Sequence, residues 1–373
     1  MDPKTIAVIG AGNGGFAMAA DLALSGWKIS LYELPRFREN IDPLSDKGGI
    51  DIVGTNIDGK ANSGFGKLNK ITCDIKDAID DAHCIMVNTR AVTHGEVAEL
   101  MGPHLKEGQT IFILPGNGGS LLFTKIFREM GMKVKVDLAE TLTFPYGCRK
   151  TSPTSVFVDR MLGKNLLAAF PSRNNDKLLN TFKTFYPNSS TWHHVLEIAI
   201  SNPNIILHPA ATMLSVARIE FSKGDFGLYT EGFSPSVMKV LESLDEESVN
   251  IKRCLGIPAI SYKELYEIRH SRPFKEHWDQ VLCTKNSPRG PTDVKTRYIT
   301  EDVPVGMVLI ASIGRLYGVP TPTFDSVIHL CGVMNDCDYW GEGRTMEKLG
   351  LSKLSLKDLK EYLKQGYFPS GSS

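Results

Sequence analysis

A charge excess is the first thing the sequence lacks. Lys plus Arg number 42, and so do Asp plus Glu. No charge excess therefore argues for nucleic acid or an anionic membrane surface as a partner. No apolar run approaches the roughly 20 residues that cross a bilayer. The N-terminus has no basic segment followed by an apolar one, so no secretory leader is expected. CxxC pairs are missing too. The seven cysteines (Cys73, Cys84, Cys148, Cys254, Cys283, Cys331 and Cys337) are odd in number and scattered. That argues against a disulfide framework or a zinc knuckle and suits a reducing cytoplasm. The adjacent His193 and His194, and the Asp336-Cys337-Asp338 run, match no standard metal-ligand spacing, so no metal is expected. Internal repeats, low-complexity tracts and long linkers do not occur. The terminal Pro-Ser-Gly-Ser-Ser at 369–373 reads as a disordered tail.

What is present describes a two-domain globular chain. A length of 373 residues exceeds one typical domain, and 42% apolar with 23% charged residues is ordinary for a folded protein. The strongest local pattern lies at the start. Thr5 to Ile9 is a β-branched apolar run that reads as a buried strand. It breaks into Gly10-Ala11-Gly12-Asn13-Gly14-Gly15, and a helical pattern follows from Phe16 to Leu24. Strand, glycine turn and helix N-terminus are the order a dinucleotide site requires. Gly10 permits the turn, Gly12 lets backbone approach a pyrophosphate, and Gly15 lets the helix pack on its strand. Asn13 and Gly14 complete the expected cofactor-binding loop.

Lys28 to Glu33 alternates as a second strand, and Glu33 stands at its end about 20 residues beyond the glycines. A carboxylate there accepts from a ribose 2′-hydroxyl and repels a 2′-phosphate, which favours NAD(H). The bland reading is a solvated carboxylate. Arg36 and Arg38 follow closely and suit a 2′-phosphate, so NADP(H) stays open. Further strands are expected at Gly48–Gly54, His83–Asn88 and Thr110–Leu114. Val134–Val136 and Leu142–Phe144 are weaker candidates. The second glycine-rich loop, Leu114-Pro115-Gly116-Asn117-Gly118-Gly119, follows a strand, where open α/β sheets bind ligands. Asn117 is thus a candidate substrate contact or a left-handed loop residue, and Thr143 is a second candidate substrate contact. Alternating strands and helices predict a largely parallel doubly wound sheet. Phe182, Phe185 and Tyr186 read as core.

From about Trp192 the pattern turns helical, so the expected division is 1–191 for an α/β Rossmann-type domain and 192–373 for an all-α domain. Ile205, Ile206, Pro209, Ala210, Met213, Leu214 and Ala217 form an apolar helical face around His208. Pro209 suggests a kink or a helix start. A histidine beside such a break suits a reaction cleft, or is simply a core histidine. Asp302 stands where a helix N-cap belongs, with Pro304 in the first turn. Arg297 is either a surface cation or a fork for a carboxylate.

Several of these elements together resemble the opine dehydrogenases, the octopine/nopaline and N-(1-carboxyalkyl)amino-acid type. The match covers nearly the whole chain. It runs through the two glycine loops, Thr141 to Arg149, Asn202-x-Asn204-x-x-x-His208-Pro209 and Glu231-Gly232-Phe233-Ser234-Pro235. It continues through Thr296-Arg297-Tyr298-x-x-Glu301-Asp302-Val303, Val319-Pro320-Thr321-Pro322 and Gly343-Arg344-Thr345-x-Glu347-Lys348-Leu349. The histidine-proline and Arg-Tyr-x-x-Glu-Asp elements are the specific ones. The resemblance implies condensation of a 2-oxo acid with an amino acid or amine, then reduction of the imine with NAD(P)H. It implies that His208 is the catalytic histidine, Asp302 its partner, and Arg297 the oxo-acid carboxylate clamp. A homodimer is the candidate assembly.

Two other readings remain. Simple 2-oxo or 3-hydroxy acid reductases of the glycerol-3-phosphate or ketopantoate type share the layout but resemble each other in using a lysine early in the second domain. Trp192 to Ser222 contains none. A non-catalytic dinucleotide sensor would bind cofactor without needing His208 and Asp302. The amine pocket is expected in the helical domain and the 262–292 region, with Tyr262, Tyr266, His270, Arg272 and Trp278 as candidates.

Overall fold

The computed structural model describes residues 4–54, 63–161, 163–283 and 290–368. The expected tail at 369–373 lies outside the described residues. The chain divides into two compact units, Met1–Ile198 with Leu363–Gly366, and Ala199–Tyr362 with Tyr367–Ser373.

The first unit is built on its opening strand. In β1 (Thr5–Ile9), Ile6 and Val8 point into one core, and Ala7 and Ile9 into another. An apolar run buried on both faces is what a parallel sheet covered by helices on both sides needs. Eleven further strands follow in the described residues: β2 Lys28–Tyr32, β3 Gly49–Gly54, β4 Gly64–Lys67, β5 Lys70–Thr72, β6 Ala82–Val87, β7 Thr110–Ile113, β8 Asp137–Thr141, β9 Tyr146–Ser152, β10 Ser155–Met161, β11 Asn165–Phe170 and β12 Ser189–Thr191. The main sheet has the order β12-β11-β8-β7-β6-β1-β2-β5. Only its β11–β8 pairing is antiparallel, so the largely parallel doubly wound sheet is as expected. Phe182 and Tyr186 are fully buried, and Phe185 packs beside them.

The structure departs from the sequence reading in three places. Leu142–Phe144 is not a strand: β8 ends at Thr141, whose hydroxyl donates to the Thr143 carbonyl at 3.0 Å in the turn that follows. Val134–Val136 precedes β8 rather than forming a strand. A second, four-stranded sheet of order β4-β3-β10-β9 packs over helix Asn13–Leu24. That helix is buried on nearly every side, from Gly15 through Leu22. Its alanines make this possible, because they leave room for sheet on both flanks: a Cβ on Gly66 of β4 would lie 2.7 Å from the Ala20 Cα.

Among the described residues the second unit is wholly helical. Its longest helix, Pro235–Leu255, packs on Asn204–Leu214 and on Pro322–Asn335. Buried Glu247 accepts the backbone N–H groups of Thr323 and Phe324 at 2.8 and 3.1 Å. One helix thus supplies the negative charge that the start of another prefers. Pro209 lies inside helix Asn204–Leu214, so it is neither a helix start nor a stop. Its missing N–H leaves the Ile205 carbonyl without its usual helical donor.

Candidate active site

In the first unit the two glycine loops have different fates. A Cβ on Gly10 (φ +104°) would lie 2.6 Å from the Asn88 carbonyl oxygen, and one on Gly15 only 1.7 Å from the Gly10 oxygen. Both glycines are therefore required by the fold itself. Gly12 is different, because a Cβ there would meet nothing within 4 Å. It caps helix Asn13–Leu24 with extended backbone and no side-chain hydrogen bond. The start of that helix is an uncapped set of donors facing open space, which suits a pyrophosphate. Nearby, Asn88 Nδ2 and Thr89 Oγ1 are buried with no hydrogen-bond partner, and the Asn88 carboxamide packs directly against Gly14. Orphaned donors of this kind await a ligand. The residues present therefore fit a dinucleotide.

The second loop is already filled. Glu140, fully buried, accepts Gly118 N–H at 3.0 Å, Ser120 N–H at 2.9 Å and the Ser120 hydroxyl at 2.8 Å. The protein's own carboxylate thus occupies the start of helix Gly119–Glu129, and its charge repels a phosphate. Asn117 sits in this loop at φ +49° and is buried, so it adopts the left-handed conformation of its bland reading. Thr143 lies in the turn after β8.

Glu33 is buried rather than solvated. Its carboxylate accepts the N–H groups of Ala11 at 3.0 Å and Leu34 at 2.8 Å, and the Asn40 carboxamide at 3.3 Å. It ties the first glycine loop to the end of β2. A carboxylate has about four acceptor positions, so room for a hydroxyl donor remains. Burial raises the Glu33 pKa, with the backbone bonds opposing it. Asn13 accepts the Lys150 N–H at 2.9 Å through its side chain, fastening β9 to the loop. Arg36 pairs with Glu96 and Arg38 with Asp42, both at the exposed surface.

The second unit carries the other expected group. His208, on helix Asn204–Leu214, and Asp302 are brought together across 94 positions of chain: Nδ1 lies 2.8 Å from the Asp302 carboxylate, and both residues are buried. The approach depends on Gly306. A Cβ there would come within 2.3 Å of Ile205 Cγ1, so only glycine lets the π-helical turn Val303–Met307 press this close to helix Asn204–Leu214. Asp302 does precede that turn, but its side chain makes no cap hydrogen bond; it is spent on the histidine. Two aromatic residues to which the sequence reading gave no role complete the surroundings. The Tyr229 hydroxyl is 2.8 Å from His208 Nε2, and the Tyr298 ring lies over the imidazole with centroids 4.2 Å apart. Arg297, beside Tyr298, is solvent-exposed, although protein atoms crowd its guanidinium. Burial there opposes its charge, and Glu301, Asp302, Tyr298 and Tyr229 outweigh it, so its pKa is raised.

Comparisons with known proteins show the family and the fold. The family model for the α-helical domain of NAD/NADP octopine/nopaline dehydrogenases matches residues 191–335. An opine dehydrogenase of Arthrobacter sp. (strain 1C) is 33% identical over 363 residues, covering 96% of this chain and 99% of that protein. The chain belongs to the opine dehydrogenase family. Among solved structures, octopine dehydrogenase in complex with NADH and agmatine superposes with a TM-score of 0.78 at 17% identity, over 98% of this chain and 99% of that one. Yersinopine dehydrogenase with NADP+ bound gives 0.68 at 13%, over 98% of each. These two show the shared fold.

In the region expected to hold the amine, residues 284–289 lie outside the described residues. Tyr262 is buried, and the Tyr266 hydroxyl accepts from Arg272 while its ring stacks on His270. Of the five candidates only Trp278 lines the neighbouring cavity, about 410 Å³, with Met238, Lys263, Glu267, Phe274 and Lys275. Asp336 and Asp338 serve turns: Asp336 ends helix Pro322–Asn335 at φ +52°, and Asp338 accepts the Trp340 N–H. Tyr229, Asn88 and Glu140 had no signal in the sequence beyond standing next to motifs.

Proposed function

We propose that the protein catalyses the NAD(P)H-dependent reductive condensation of a 2-oxo acid, such as pyruvate, with an amino acid or amine to give a secondary amine of the opine type. The observation that carries this reading is the buried hydrogen bond from His208 Nδ1 to Asp302. With Nδ1–H donated to the carboxylate, Nε2 carries the lone pair that can take a proton. The carboxylate stabilises the imidazolium that results. Condensation needs both directions of transfer, because two protons must leave the amine and two must reach the departing oxygen. One histidine with its tautomer fixed can serve each in turn.

Arg297 is the proposed holder of the oxo-acid carboxylate, since the residue is exposed and a guanidinium offers a planar pair of donors. In this reading the dinucleotide is held by the loop Gly10–Gly15, with Asn13, Gly14 and the donors of Asn88 and Thr89 around it. Glu33 favours NAD(H). Arg36 keeps NADP(H) open, since its exposed pair with Glu96 is of a weak kind. A bound nicotinamide supplies the hydride. Asn117 and Thr143 are further proposed substrate contacts. Cys73, Cys84, Cys148, Cys254, Cys331 and Cys337 are free thiols, in keeping with a reducing cytoplasm.

The simple-reductase reading is not favoured, given the 33% identity to an opine dehydrogenase and the lysine-free stretch Trp192 to Ser222. A sensor would have no use for a buried histidine–carboxylate pair. The test is His208→Ala, which is expected to lower kcat by about 10²–10⁴-fold while the NADH dissociation constant stays near wild type. Because that variant strands a buried carboxylate, Asp302→Asn is measured beside it. Its carboxamide donates to Nδ1 and forces the proton onto Nε2, so the same loss is expected with the packing intact. Undiminished turnover in both variants would refute the proposal.

A further inference from the structure

Resting on that functional reading, we propose that Tyr229 is a further catalytic residue, whose hydroxyl is the last protein atom on the proton path between His208 and the condensing substrates. The argument is one of access. Nδ1 is closed by Asp302, and one face of the imidazole is covered by the Tyr298 ring at 4.2 Å. Nε2 is the remaining nitrogen, and the Tyr229 hydroxyl already stands on it at 2.8 Å. A substrate must therefore either push Tyr229 aside or exchange protons through it. Its surroundings favour the second. The Tyr229 ring is stacked on Phe233, with centroids 5.5 Å apart and planes 14° from parallel, and Phe233 is buried and packed edge-on against Trp278. The short helical turn that carries it, Leu228–Glu231, is fastened through Glu231, which accepts the Gly227 N–H at 3.0 Å and pairs with Arg218. A hydroxyl suits the task because it donates with one hand and accepts with the other.

The proton balance closes through this chain. The amine enters as an ammonium ion, and its first proton passes to the Tyr229 oxygen as the Tyr229 proton moves onto His208 Nε2. The freed nitrogen lone pair forms the C–N bond to the oxo-acid carbon, and the carbonyl oxygen takes the stored proton back along the same path. A second proton leaves the nitrogen and reaches the new hydroxyl in the same way. The C–O bond then breaks, its electron pair departs with water, and the remaining nitrogen lone pair forms C=N. The nitrogen has lost two protons and the oxygen has gained two. The resulting iminium accepts hydride at carbon.

The experiment compares wild type with Tyr229→Phe, which keeps the stack on Phe233 and removes one oxygen. NADH oxidation is followed with pyruvate and whichever of the twenty amino acids gives the fastest turnover, in H₂O and in D₂O. The expected result is a fall in kcat of about 10²-fold or more, KM values for both substrates within about threefold, and an unchanged NADH dissociation constant by fluorescence. The solvent isotope effect on kcat is expected to rise above the wild-type value, which lost packing alone would not cause. A kcat within about twofold of wild type, or an increased one, would show that the hydroxyl only blocks Nε2, and a raised KM with kcat unchanged would make Tyr229 a binding group; each overturns the inference. If wild type needs no amine, the functional reading falls and takes this inference with it. If wild type needs both substrates and Tyr229→Phe is unimpaired, this inference falls alone.

Discussion

Glu33 has a structural role beside the cofactor-binding role proposed for it. Its oxygens hold the Ala11 and Leu34 N–H groups, yet burial raises its pKa. A raised carboxyl pKa means that the folded state binds the proton more tightly than the unfolded chain does. The contribution of Glu33 to stability is then greatest below the ordinary glutamate value of 4.5 and falls as pH rises from there through the folded-state value. Glu33→Gln removes that slope. Thermal unfolding should therefore show wild type gaining on the variant at pH 5 relative to pH 7. An equal difference at the two values would mean that burial does not govern this group. Asp302 teaches a related lesson in reading residues. Its place before a helical turn suggested a cap, and the place was right, but the side chain serves a histidine that local sequence could not reveal.

At the scale of elements, the two helix starts that follow glycine loops separate binding from folding. The first is uncapped and faces open space at Gly12, whereas the second is filled by Glu140. Gly12→Ala should leave the melting temperature close to wild type and weaken NADH binding at least about tenfold, because its methyl occupies ligand space rather than protein space. Gly15→Ala should lower the melting temperature, since its methyl would collide with the Gly10 oxygen. Calorimetry and a fluorescence titration distinguish the two; a destabilised Gly12→Ala would contradict the picture. The first glycine loop was legible in the sequence because strand, turn and helix are consecutive and each has a local period. The small sheet was not. Tyr146–Ser152 is mostly half-exposed and polar, and it pairs with β10, which pairs in turn with β3 about a hundred residues upstream. Tyr229, Glu140 and the packing of Tyr298 on His208 stayed hidden for the same reason. Their roles arise only when separate elements pack, as Gly306 lets Val303–Met307 pack on the helix that carries His208.

At the scale of the whole molecule, one unit carries an open glycine loop and the other a buried histidine–carboxylate pair with a tyrosine on its second nitrogen. The glycine loop alone would suit any dinucleotide enzyme; the His208 constellation and the 33% identical relative narrow the reading to the opine dehydrogenases. No described helix is long and apolar enough to cross a membrane, and both substrates proposed are small and polar. The claim at the centre of the account is that the hydride acceptor is made in situ from two substrates. The most direct measurement follows NADH and NADPH oxidation by the wild-type protein with pyruvate alone, with a panel of amino acids alone, and with both together. Turnover only when both are present is the predicted result. Turnover with pyruvate alone would contradict it and make the protein a simple oxo-acid reductase.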